Sequence, residues 1–125
     1  MFMRAIPAAA TIAALFLFAA PAMAQTFMSE DELLAAIPGS IIDSTSKDGT
    51  RWAQAYSKYG GGKKSGSINV NFGGAKSKSK WSVKNGQWCE DWGSGSACWQ
   101  VERVSEKELR MYENGKPRPN LWVMR

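Results

Sequence analysis

Apolar and polar residues alternate with a period of two through most of the chain beyond residue 50. Ile68, Val70 and Phe72 alternate with Asn69 and Asn71, as in a strand with one buried face. Further candidate strands are 52–59, 76–84, 87–92, 96–104, 109–112 and 121–124. Gly73-Gly74 separates two of them, and Asn85-Gly86, a strong hairpin signal, separates two more. Short strands at this spacing predict a mainly β fold, an antiparallel meander forming a small barrel or a strongly curved sheet. No internal repeat stands out. Residues 60–66, Gly-Gly-Gly-Lys-Lys-Ser-Gly, read as a hairpin loop, because the spacing is not that of a phosphate-binding P-loop.

One helix precedes the strands. Ser29-Glu30-Asp31-Glu32 is a capping box with three acids at the positive end of the dipole. Leu33, Leu34 and Ile37 give the helix, about 30–37, an apolar face, and Pro38-Gly39 ends it. Two turns are marginal in isolation, so this helix must dock on the sheet.

The turns fix a register. A turn at Asn85-Gly86 pairs Val83 with Trp88 and Trp81 with Glu90. A second at Gly93-Ser94, of type II′, pairs Glu90 with Ala97, Cys89 with Cys98 and Trp88 with Trp99. Together they place Trp81, Val83, Trp88, Trp92, Ala97, Trp99 and Val101 on one face. Cys89 and Cys98 then face each other in a non-hydrogen-bonded pair, where Cα atoms lie about 4.5 Å apart, and a disulfide fits. Closing a loop of about ten residues contributes roughly 2.5–3 kcal/mol in the chain-entropy model.

The N-terminus differs in character. Arg4 precedes an apolar run over 8–20, and Pro21-Ala22-Met23-Ala24 has the small-x-small form of a secretory cleavage site. The run is short for a membrane span. The expectation is a signal peptide over 1–24, then one mature domain over 25–125 without a transmembrane segment. An exported destination, periplasmic or extracellular, also suits pairing of the only two cysteines. The chain has no histidine and no third cysteine, so the two cysteines cannot be completed into a metal site, no His-based catalytic pair can be assembled, and no cofactor is expected.

Charge is uneven. Residues 25–46 carry four acids and no base, whereas 47–84 carry nine bases against Asp48 alone. Period two sets Lys76, Lys78, Lys80 and Lys84 on the face opposite Trp81 and Val83. This stripe, with Lys63 and Lys64, either protects an exposed strand or attracts an anionic envelope polymer or membrane surface. Arginine is scarce there, which argues against specific nucleic-acid recognition. The six tryptophans have two readings as well, core packing or an aromatic ligand face of Trp81, Trp88, Trp92 and Trp99. Trp92, beside the tight turn, is the one expected to be exposed. Glu90 is the odd residue on that face. It is either solvated at the open end of a barrel or a working carboxylate in an aromatic pocket.

Asp48-Gly49-Thr50, Trp81-x-Val83, Gly86-x-Trp88-Cys89, Cys98-Trp99 and Asn114-Gly115-Lys116 resemble a family of small secreted alphaproteobacterial proteins catalogued as a domain of unknown function. The resemblance covers about 39–123, carries no catalytic residues and implies a periplasmic β domain. The lysine run lies outside its pattern. The expectation from sequence is thus an exported, non-enzymatic binding or interaction module working through the lysine stripe, with a small-ligand carrier using a tryptophan-lined barrel as the alternative. A filled barrel favours the first and a cavity of several hundred cubic ångströms favours the second.

Overall fold

Two-residue turns set the architecture. In the computed structural model, which describes residues 26–125, Asn85 and Gly86 both adopt positive φ, 52° and 73°, between strands that pair Lys84 with Gln87. Gly73-Gly74 and Asn114-Gly115 repeat that geometry. The proposed signal peptide and Gln25 lie outside the described residues.

The elements in chain order are α1 (Glu30–Ala36), β1 (Ile41–Thr45), β2 (Arg51–Tyr56), β3 (Ser65–Phe72), β4 (Ala75–Lys84), β5 (Gln87–Asp91), β6 (Ser96–Arg103), β7 (Glu108–Glu113), β8 (Lys116–Pro117) and β9 (Trp122–Met124). Strands β1 to β7 run as an antiparallel meander. β9 inserts between β7 and β1, pairing Leu109 with Trp122 and Ile42 with Met124. The result is a closed eight-stranded barrel with β8 as an extra hairpin strand. The two-turn register holds throughout: Val83 faces Trp88, Trp81 faces Glu90, and Trp88, Cys89 and Glu90 face Trp99, Cys98 and Ala97. Cys89 and Cys98 are disulfide-bonded with Cα atoms 4.0 Å apart.

The structure departs most from the sequence reading in three places, while the other element ends move by at most a single residue and the short β8 was not predicted. The loop taken over 60–66 ends early, because Ser65 and Gly66 already pair with Ser82 and Trp81. Gly66 is required there: a Cβ would lie within 2.7 Å of the Trp81 ring, whose Nε1 donates to Ser57 Oγ at 3.1 Å. The second strand stops at Tyr56, short of 59. β1, which alternation did not reveal in the short Ile41–Thr45 segment, is held between β2 and β9.

α1 closes one end. The capping box forms as read, with Glu32 N donating to Ser29 Oγ and Ser29 N to Glu32 Oε1, each at 3.2 Å. Leu33, Leu34 and Ile37 are buried in one cluster with Ile42, Tyr56, Ile68, Val83, Val101 and Leu109. Met28 N donates to Val101 O at 2.7 Å, and Lys64 Nζ pairs with Glu30 at 2.6 Å, fixing the helix across the strand ends. Trp81 and Trp88 stack inside that core, 5.1 Å apart at 15°. Among the described residues no helix is long and apolar enough to cross a membrane.

Candidate functional site

At the other end of the barrel the inward positions are not filled. β1, β2, β3, β4, β5 and β6 reach it with Ser44, Gln54, Val70, Ser77, Glu90 and Ala97, small or polar side chains where the plugged end has large apolar ones. A cavity of about 490 Å³ remains between them. Its walls include Trp52, Trp92, Trp99, Trp122 and Phe72. Trp122 is the hub, packing edge-on against Trp52 at 5.4 Å and Trp99 at 5.7 Å.

One side of the rim is built by the segment after β8. Arg118 N donates to Met111 O at 2.8 Å, and Asn120 Nδ2 donates to Thr45 O at 2.6 Å, tying this segment to the β1–β2 loop. Arg118 lies over the Trp99 ring, 5.9 Å from its centroid, and pairs with Glu113 at 3.1 Å. In the β1–β2 loop Asp48 accepts from Ser46 Oγ and, at 3.0 Å, from Thr50 N. These bonds hold its carboxyl at about 2, below its ordinary 3.8.

Glu90 forms the floor, only 1% exposed. Of the two readings of this residue, solvation at an open end is overturned: the carboxylate is enclosed. Its Oε2 accepts from Trp88 Nε1 and Tyr56 Oη, both at 3.0 Å, and its Oε1 has no partner among the described residues. Tyr56 Oη also touches Gln54 Oε1. One phenol proton cannot serve two acceptors, so the trio is satisfied when Gln54 turns its amide N–H to the phenol oxygen and Tyr56 donates to Glu90. Burial pushes the Glu90 carboxyl from 4.5 to about 7, against the pull of the Trp88 and Tyr56 bonds. Burial, with Glu90 beside it, also raises the Tyr56 phenol. Trp99 Nε1 is a second buried group without a partner among the described residues, and its residue also lines the cavity.

The residues singled out in the sequence therefore divide. Trp92, Trp99 and Glu90 meet at the mouth, with Trp92 41% exposed as its turn position implied. Trp81 and Trp88 do not line the cavity; they belong to the core, since their register positions fall nearer the plugged end. Trp52, Trp122, Gln54 and Phe72 complete the site. Trp52, Gln54 and Tyr56 share one face of β2, a period of two that could have placed them. Arg118 and Asn120 gave no such signal, as they sit outside regular strands.

Lys76, Lys78, Lys80 and Lys84 are exposed on the outer face of β4, and none has an ion-pair partner among the described residues. Lys63 is exposed in the β2–β3 loop. Lys64 does not join the stripe as a free cation, because its ammonium is bound to Glu30 of the helix. Among the described residues no three potential metal ligands gather. No catalogued family, curated protein or solved structure matches the chain.

Proposed function

We propose that this protein is a small-ligand carrier that takes its ligand into the open mouth of the barrel. The observation that carries the reading is the unfilled, tryptophan-walled cavity of about 490 Å³ at one end of a barrel whose other end is packed solid. Eight strands enclose space that side chains can fill or that one small ligand can occupy. Native cores close such space, since voids forfeit packing energy. An apolar pocket with a few polar groups on its floor is the usual form of a small-molecule site. The leader-like N-terminus and the disulfide fit action outside the cytoplasm. No catalytic step is assigned to it.

The test is to fill the cavity without disturbing its neighbours. Ala97 is an inward residue of the wall, and Ala97→Phe places a ring in the space. Wild type should bind N-phenyl-1-naphthylamine saturably with quenching of tryptophan fluorescence, and Ala97→Phe should weaken that binding about tenfold or more, a change of about 1.4 kcal/mol. Absence of saturable binding by wild type would remove the reading.

A second reading rests on the unpaired lysines of β4. They support attachment to an anionic envelope polymer or membrane surface, a role compatible with carriage of a ligand. Replacing Lys76, Lys78, Lys80 and Lys84 with glutamine should abolish retention on anionic vesicles at low salt and leave probe binding unchanged. Equal retention of both proteins would leave the stripe as a guard against strand pairing.

A further inference from the structure

We propose that the mouth of the barrel selects ligands with a positively charged amine head on an apolar body, the head seated against Glu90. This rests on the carrier reading above and adds the chemical class. Three observations converge on it. Glu90 is enclosed at the cavity floor with one carboxylate oxygen unused, and no cation contacts it among the described residues. A buried carboxylate with a spare acceptor and no counter-ion is costly to the protein alone. Above about pH 7, where Glu90 is ionised, an ammonium entering the cavity supplies both the missing donor and the missing charge.

The walls suit the same head. Four indoles and Phe72 line the cavity above the carboxylate, and aromatic faces around a cation are a recurrent recognition device for amines. Arg118 already uses the Trp99 face in this way at the rim. Two fixed cations, Lys47 and Arg118, also line the cavity, but neither is paired with Glu90. Lys47 is an exposed residue of the β1–β2 loop, and Arg118 is engaged by Glu113 and Trp99.

The alternative head groups fare worse. A carboxylate head would meet Glu90 with like charge, and a neutral hydroxyl would supply a donor without the charge. The remaining orphan, Trp99 Nε1, is a lone donor.

The experiment compares three probes of one body: 2-phenylethylamine, 2-phenylethanol and phenylacetate, titrated calorimetrically into the full chain with its disulfide formed, near pH 8. The amine should bind about tenfold or more tighter than the alcohol, and phenylacetate weakest. Glu90→Gln, which keeps shape and an acceptor, should bring the amine to within about threefold of the alcohol. Phenylacetate binding as tightly as the amine, or an amine preference that survives Glu90→Gln, overturns the assignment. Ala97→Phe separates the two levels. If the alcohol binds and Ala97→Phe abolishes that binding, the cavity reading stands whatever the head-group order. If none of the three binds and the naphthylamine probe also fails, both readings fall.

Discussion

The two ends of the barrel use the same strands for opposite purposes. At the plugged end β2, β4, β5 and β6 contribute Tyr56, Trp81 and Val83, Trp88 and Val101, all buried, and α1 and its C-cap add Leu33 and Ile37 at 0% exposure. A few residues along the same strands, at the mouth, the inward positions are Trp52, Ser77, Glu90 and Ala97, and among the described residues no helix covers them. The tryptophans show the difference. Trp81 and Trp88 lie face to face with their polar edges spent on Ser57 and Glu90. Trp99 and Trp122 meet edge-on, and Trp99 keeps an unspent N–H. Packing at one end supplies stability that permits an unfilled, partly unsatisfied site at the other. The Tyr56–Glu90 bond joins the two regions.

The largest effect should come from breaking the plug. Leu33→Ala removes a side chain with no exposure and should cost about 2–5 kcal/mol in urea unfolding. A loss below about 1 kcal/mol would mean that the helix does not close the barrel. Next comes the floor. Glu90 is raised from 4.5 to about 7, so between these values the folded chain holds a proton that the unfolded chain has released. Its contribution is complete below pH 4.5 and is lost as pH climbs through 7, roughly 2–4 kcal/mol across the window. Asp48, held at about 2, titrates below this range and acts in the opposite sense. Glu90→Gln should flatten the fall in stability seen between pH 5 and pH 8; an unchanged profile would place the titration elsewhere.

Smaller effects refine the contrast. Ser29→Ala removes one half of the capping box and should cost about 1 kcal/mol. An unchanged melting temperature would show α1 to be held by its apolar face alone. Smallest in stability is Trp92→Ala at the mouth. With 41% of the residue exposed, the change should stay within about 0.5 kcal/mol while weakening naphthylamine binding several-fold. A stability loss as large as that of Leu33→Ala would erase the distinction between the two ends.

Local chemistry made the hairpins legible. Asn85-Gly86 and Gly93-Ser94 each demand a tight turn, and two turns with a period of two give register, face and disulfide without knowledge of the rest of the chain. The capping box placed α1 for the same reason, since its bonds close within four residues. Side-chain alternation also put the lysines of β4 outside. It could not say how far along the barrel each inward residue would sit, because period two distinguishes faces and not depth. Trp81 and Trp99 read alike in the sequence and both are buried in the core, yet only Trp99 also lines the cavity.

Depth was decided by closure. β9 enters between β7 and β1, and Asn120 bonds Thr45 across 75 positions of sequence, so the mouth is assembled from segments with no local relation. The same holds for Glu90. Its neighbours in sequence indicate only an inward acid; its burial, its raised pKa and its unused oxygen arise from Tyr56, 34 positions away, and from walls that six other strands supply. Turn residues and alternation are short-range preferences and are written in the chain. Cavity and carboxylate environment are sums over distant strands, and only the closed barrel brings them together.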